Sequence, residues 1–355
     1  MTADMTSARP LIVVVAPVDP ALVSEAAQRE PRVDIVHEPD LVPRQLFPGD
    51  RRGDPDHRTS PEQRDRLLRL MARADALLGV PEESPASLAA AVRAGPRLRW
   101  VQAMTAGAGA QVRAAGLSQE ELERVSVTTA AGVHGGPLAE FAVFGVLAGA
   151  KRLPELAAAQ ARREWPRQRL FLGQVARQRI AVVGLGGIGR AVAGKLVALG
   201  ATVVGVHRHS VDVPGVERVV DVARLVELAP ELDAVVMCLP QTAATRHLLG
   251  RPVLERLRRG ATVVNVGRGS TVDEVALVDA LNSGQVGLAV LDVFEQEPLP
   301  AGSPLWSHPN VIVSPHTAAL DPGEDQLIID LFVDNAGRFA EGRPLRNLVD
   351  TSEFY

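Results

Sequence analysis

The chain has 355 residues, more than one compact core usually holds, so two domains are the first expectation. Its 46% hydrophobic and 23% charged residues are those of an ordinary globular protein, and a formal net charge of −4 leaves no basic field for a nucleic acid or an acidic membrane. Cys238 is the single cysteine, which excludes an intramolecular disulfide and a thiolate zinc cluster and fits a reducing compartment.

Met1–Pro10 is polar. The apolar run Leu11–Ala16, closed by Pro17, is too short for a signal-peptide core. No apolar stretch approaches the roughly 20 residues of a membrane helix, so the expectation is a cytoplasmic protein without a membrane partner. Leu11–Ala16 reads as a buried strand, Pro20–Gln28 as a helix and Val33–Val36 as a second strand. Glu38–Pro61 is rich in proline, glycine and charge and reads as a surface insertion, a plain loop before a lid or a dimer contact. Alternation then resumes: helix Glu62–Ala72, strand Ala76–Val80, helix Ser87–Arg93 and strand Leu98–Gln102. Strand and helix in alternation argue a parallel sheet covered on both faces.

Pro137–Ala150 is apolar almost all round, with Pro137 suited to a first helical position. It reads as a buried helix that bridges domains or packs in a dimer. A second α/β unit follows. Its strands are Arg179–Val183, Thr202–Val206, Ala234–Leu239, Thr262–Val266, Leu288–Val293 and Val311–Val313. Its helices are Ile188–Ala198, Val222–Leu228 and Glu274–Asn282. A last helix, Glu324–Glu341, lies beyond this unit and can return to the first, which would make the second an insertion.

Gly184, Gly186 and Gly189 form G-x-G-x-x-G between a β-branched strand and an amphipathic helix. In that context Gly184 allows a tight turn, Gly186 lets a pyrophosphate approach the backbone, and Gly189 lets helix and strand pack closely. The helix N-terminus supplies N–H groups and positive dipole for the anion. About 20 residues on, an acid would take the ribose 2′-hydroxyl, but the strand ends in Val206-His-Arg-His-Ser210. Arg208, helped by His207 and Ser210, suits a 2′-phosphate, so NADPH is expected in preference to NADH. The bland alternative is a solvated loop.

Three further segments follow predicted strand ends, the edge where a doubly wound sheet binds ligands: Val263–Gly269 with Arg268, Ala289–Pro298 with Asp292 and Glu297, and Val313–Ala319 with His316. Arg268 offers a planar fork. His316 is a suitable general acid because imidazole as a group titrates near neutral pH, and Glu297 beside it would favour the protonated ring and orient it.

The glycine loop, the arginine turn, the D-V-F-x-x-E-P segment and the P-H turn occur here in one order. With Leu239–Thr245 and Ser303–Asn310 they make the chain resemble the D-isomer-specific 2-hydroxyacid dehydrogenase family, from Leu98-Arg-Trp-Val101 onward and more loosely before it. The resemblance implies an α/β fold of two doubly wound parallel-sheet domains. A Rossmann NAD(P) domain, 133–320, would be inserted in a discontinuous flavodoxin-like substrate domain, 1–132 with 321–355, and the molecule would be a homodimer. It implies Arg268, Glu297 and His316 as the catalytic residues of a 2-oxo acid reduction, which needs a cation for the carboxylate, a proton donor for the carbonyl oxygen and a hydride. To the cofactor, NADP or NAD, it gives Gly184, Gly186, Gly187, Ile188, Gly189, His207, Arg208 and Ser210. Leu239, Pro240, Thr245, Val266, Gly267 and Asp292 would follow toward the nicotinamide, although Asp292 can equally brace its turn. To the substrate it gives Arg268, the small loop residues Ala106 and Gly107, and Trp306. A small acid such as glyoxylate or hydroxypyruvate is the leading substrate.

Of the other tryptophans, Trp100 reads as core and Trp165 as a further pocket candidate. His37, His57 and His308 read as surface or turn residues, His134 carries no chemistry, and His247 faces solvent beside Arg246. No histidine cluster has metal-ligand spacing, so no metal is expected. Gly267 stands where the family usually has Ala or Ser, which would loosen the turn. The Glu297–His316 pair argues against the formate dehydrogenase branch, which has glutamine there. Phosphite oxidation, or a nucleotide-sensing corepressor-like binding protein, are the alternatives.

Overall fold

The computed structural model describes residues 9–352 and Phe354. The first eight residues of the polar N-terminal stretch lie outside the described residues. The chain divides into two compact units, Met1–His134 with Leu320–Tyr355, and Gly135–Ala319.

Among the described residues the first unit holds strands β1 (Leu11–Val14), β2 (Asp34–Val36), β3 (Ala76–Leu78), β4 (Trp100–Gln102) and β5 (Ser126–Thr128). They form a parallel sheet in the order β2-β1-β3-β4-β5, the flavodoxin-like winding. The three β-branched residues of β1 suit an interior strand paired on both edges, with Ile12 level with Ile35 on one side and Ala76 on the other. Helix Glu324–Ala340 belongs to this unit. Its buried Ile328, Ile329, Phe332 and Ala336 join one core with Ile12, Leu78 and Trp100, and Trp100 stacks on Phe332 at 5.8 Å between centroids. Trp100 is core, and its Nε1–H donates to Thr128 Oγ1 at 2.8 Å. That hydroxyl donates to Gln102 Oε1 (2.9 Å), which also accepts from Asn335 Nδ2 (3.0 Å). The buried chain ties the end of β4 to the last helix.

The 38–61 segment is not a plain loop. Pro39–Leu41 forms a 3₁₀ turn, Leu41 and Val42 are buried, and Arg51 donates to Glu324 (2.6 Å) and Asp325 (2.5 Å) at the head of the last helix. His134 Nε2 lies 2.9 Å from Glu324 Oε1. The polar composition that suggested solvent is thus spent on a buried ion network. Sequence patterning also passed over helices Gly109–Ala115 and Gln119–Arg124 and strand β5. These are seven, six and three residues long, too short to display a period.

The second unit holds β6 (Arg179–Val183), β7 (Thr202–Val206), β8 (Arg218–Val220), β9 (Ala234–Met237), β10 (Ala261–Asn265), β11 (Val286–Leu291) and β12 (Val311–Val313). Among the described residues these make a seven-stranded parallel sheet, order β12-β11-β10-β9-β6-β7-β8, the dinucleotide winding with one added strand. The winding reverses between β6 and β9. Strand β8, unpredicted, is short and pairs only along β7. Helix Gly135–Ala150 lies against this sheet. Pro137 is its third residue rather than its first, and Phe144 is 43% exposed, so the helix is not buried all round. Its glycines permit the approach: a Cβ on Gly149 would lie 1.9 Å from Thr262 Oγ1 and one on Gly145 2.8 Å from Val264.

Candidate active site

Every segment singled out in the second unit leaves the C-terminal end of a parallel strand. The glycine loop follows β6, His207–Ser210 follows β7, and Leu239–Thr245 follows β9. Arg268 follows β10, Asp292 follows β11, and His316 follows β12. Shared strand direction therefore brings residues more than a hundred positions apart to one edge.

The glycines differ in what holds them. Gly184 has φ +95°, and its Cβ would lie 3.0 Å from Cys238 O. A Cβ on Gly189 would lie 1.8 Å from Gly184 O, so the helix Gly187–Ala198 could not seat on its loop. Around Gly186 no heavy atom lies within 4 Å of the Cβ position. Protein packing does not require that glycine, whereas an approaching anion would. Gly186 is also the N-cap and gives no side-chain acceptor to the first turn of Gly187, Ile188 and Gly189, which leaves those N–H groups suited to a phosphate. His207, Arg208, His209 and Ser210 line a cavity of about 230 Å³ with Val219, Val220 and Asp221. Asp221, from the end of β8, is an acid that reading along β7 could not find. Its Oδ1 accepts the Ala223 N–H at 2.9 Å. These features fit a dinucleotide.

Beyond β9, the loop folds on Thr245, whose hydroxyl donates to Pro240 O at 2.8 Å. Leu239 closes over Gly267, where a Cβ would lie 2.6 Å from Leu239 O. The turn before Arg268 is therefore tight, not loosened, because two backbones meet there. Val266 is buried and donates its N–H to Met237 O at 3.1 Å. Arg268 is exposed with its Nη1 donating to Gly267 O (2.7 Å), and its own carbonyl accepts from Asn265 Nδ2 (3.1 Å) and Thr271 Oγ1 (2.7 Å).

His316 Nδ1 lies 2.7 Å from Glu297 Oε2, and Glu297 Oε1 accepts the Phe294 N–H at 3.0 Å. The histidine has φ +56°, the left-handed region that a non-glycine residue enters only when held there. Asp292 holds it. Its carbonyl accepts the His316 N–H at 2.9 Å, and its Oδ1 accepts Ser314 Oγ (2.6 Å), Thr317 N (2.9 Å) and Ala318 N (3.0 Å). Asp292 Oδ2 is buried and without a hydrogen-bond partner in the protein. Sequence reasoning left Asp292 between cofactor and turn, and missed Ser314 and Thr317, whose roles depend on which backbone amides face the carboxylate.

His247 does not simply face solvent: its Nε2 lies 3.0 Å from Glu295 Oε1. Trp306 is half exposed and donates Nε1–H to Pro300 O at 3.1 Å. Trp165 is 84% exposed and lines no cavity described above. His37 is half-buried rather than superficial, and burial pushes its imidazole below the ordinary range. In the first unit Ala106 and Gly107 form the exposed tip of the loop after β4, between buried Met104 and Ala108.

Residues 143–318 match the family model for the D-isomer specific 2-hydroxyacid dehydrogenase NAD binding domain. The chain is 33% identical over 216 residues to a glyoxylate/hydroxypyruvate reductase A of Yersinia enterocolitica, covering 61% of this chain and 68% of that protein. It is 32% identical over 217 residues to a D-3-phosphoglycerate dehydrogenase of Methanocaldococcus jannaschii, covering 60% of this chain and 41% of that longer protein. A D-isomer specific 2-hydroxyacid dehydrogenase from Xanthobacter autotrophicus Py2, solved with NADPH and MES, has a similar structure. Its TM-score is 0.75 at 31% identity, covering 98% of this chain and 100% of that one.

Proposed function

The chain belongs to the D-isomer-specific 2-hydroxyacid dehydrogenase family, and on that premise we propose that it reduces the 2-carbonyl of a small 2-oxo acid with NADPH in preference to NADH. The observation that carries this reading is the 2.7 Å Glu297–His316 pair, with Arg268 and the glycine loop at the same edge of one sheet. The dinucleotide, when bound, supplies the hydride.

The residues do the rest. Arg268 pairs its fork with the substrate carboxylate and polarises the neighbouring carbonyl. Glu297 accepts from Nδ1, orients the ring and leaves Nε2 to give its proton to the carbonyl oxygen as the 2-hydroxy acid forms. In oxidation the same nitrogen takes the proton back. Asp292 keeps the histidine in its left-handed turn. Gly186, the first-turn amides and the cavity at His207, Arg208 and Ser210 hold the dinucleotide, with the basic side chains taking a 2′-phosphate. In the first unit the exposed Ala106–Gly107 tip offers backbone N–H groups suited to a carboxylate. Glyoxylate and hydroxypyruvate, the substrates in the name of the Yersinia relative, are the first acids to try.

We further propose a homodimer and a cytoplasmic setting. The first rests on exposed Phe144, Leu156, Trp165, Phe171 and Leu172, which lie on two successive helices and the loop after them. The second rests on the solitary Cys238. No helix among the described residues is long and apolar enough to cross a membrane.

The test is absorbance at 340 nm with NADPH or NADH and a panel of 2-oxo acids. His316→Ala is expected to lower kcat by about 10²–10⁴-fold, and Arg208→Ala to narrow the preference for NADPH. Silence across the panel with dinucleotide still bound would overturn the reading.

A further inference from the structure

Away from Arg268, Glu297 and His316, the second unit contains another carboxylate–imidazole pair. Glu295 Oε1 lies 3.0 Å from His247 Nε2 and accepts the Glu274 N–H at 3.3 Å, while Arg246 Nη2 stands 3.6 Å from its other oxygen. The Glu295 N–H donates to Glu274 Oε1 at 2.6 Å, so the two glutamates are bonded reciprocally. Burial, with the charges of Glu295 and Glu297 adding to it, pushes the Glu274 carboxyl above its ordinary value.

What this pair joins is specific. The His247 N–H donates to Ser270 O at 2.8 Å and the Leu249 N–H to Thr271 O at 3.0 Å. Ser270 and Thr271 belong to the 3₁₀ turn that follows Arg268, and Thr271 returns both its N–H (3.1 Å) and its hydroxyl (2.7 Å) to Arg268 O. Glu295 lies two residues before Glu297 and next to Phe294, whose N–H holds Glu297 Oε1. The two segments also touch without clearance, since a Cβ on Gly269 would fall 1.8 Å from the Phe294 carbonyl carbon. His247 itself has φ +50°, a conformation kept only by what holds it.

We propose that Glu295 and His247 are a positioning pair that holds the Arg268 turn and the Glu297 segment in one register. This inference rests on the hydride-transfer reading given above. Neither residue touches substrate in this scheme; each acts through a neighbour. Arg268 must meet a carboxylate while Glu297 keeps His316 turned to the adjacent carbonyl, and a misplacement of about 1 Å between such groups costs on the order of 10²-fold in rate.

The experiment compares Glu295→Ala, Glu295→Gln and His247→Gln in the full chain. The expected result for Glu295→Ala is a fall in kcat of roughly 10–100-fold with little change in KM for the dinucleotide. Glu295→Gln, which can still accept from His247 and Glu274, is expected to recover most of it. A second readout needs no turnover: the His316 C2 proton, assigned by its absence in His316→Ala, is titrated by NMR. Glu295→Ala should move that signal through the titration, because Glu297 is no longer held against the ring. The proposal is overturned if folded Glu295→Ala keeps the wild-type kcat and the wild-type His316 titration. It is equally overturned if Glu295→Gln is no better than Glu295→Ala. If wild type turns over no 2-oxo acid the functional reading fails, and the His316 titration still decides for or against the pair.

Discussion

At the scale of single residues, the site depends on three positions that cannot be changed without a readable consequence, the glycines Gly186 and Gly189 and the carboxylate Asp292. Gly186 meets no protein atom and Gly189 meets a carbonyl at 1.8 Å, so their alanine variants should part company. Gly186→Ala should leave stability within about 0.5 kcal/mol. It should still raise the Kd for NADPH at least about tenfold, the equivalent of about 1.4 kcal/mol. Gly189→Ala should lower the melting temperature itself. Calorimetry with dinucleotide titration separates the two, and equal loss of stability would contradict the assignment of Gly186 to the ligand. Asp292 is the third position. Its Oδ1 satisfies three donors, and its carbonyl holds a histidine in a conformation that costs about 1–2 kcal/mol outside glycine. Asp292→Ala should therefore cost about 1–3 kcal/mol in denaturant unfolding, from the donors left unpaired, and depress kcat with it.

At the scale of elements, the proline-rich segment and the last helix are one structure. Arg51 is 10% exposed and bridges Glu324 and Asp325, which are 5% and 7% exposed, and His134 lies against the first of them. Removing the cation leaves two carboxylates buried without it, so Arg51→Ala should cost about 3–5 kcal/mol. The network also carries a pH dependence. Burial alone would push the Glu324 carboxyl up, but the bonds from His134 and Arg51 and the Arg51 charge outweigh it and hold the group below its ordinary 4.5. A folded value below the unfolded one means stability that is present above about pH 4.5 and lost as pH falls through the folded value. Melting temperatures measured from pH 6 downward should fall in wild type and fall less steeply in Arg51→Ala.

At the scale of the whole molecule, the exposed apolar residues of the second unit set the expectation for assembly. Trp165 and Phe171 are 84% and 88% exposed, and burying such rings is a strong drive to association. Sedimentation of the wild type should give a dimer, and Trp165→Ser with Phe171→Ser should give a monomer of unchanged secondary structure. A wild-type monomer at micromolar concentration would dispose of the second copy.

The sequence made the candidate chemistry legible. It showed β-branched runs that had to be strands, a glycine loop between strand and helix, and the order of Arg268, Glu297 and His316, because each of these is written in consecutive residues. Tertiary structure alone decided what depends on residues meeting from far apart. Asp221 joined the cavity at His207–Ser210 because β8 pairs with β7. Arg51 became a buried cation because the last helix returned to the first sheet. Gly267 turned out tight because the Leu239 backbone closes on it, and His247, after β9, found Glu295, after β11, because both strands flank β10. Backbone hydrogen bonding and close packing are pairwise in space, and no period along the chain records which distant partner completes the pair.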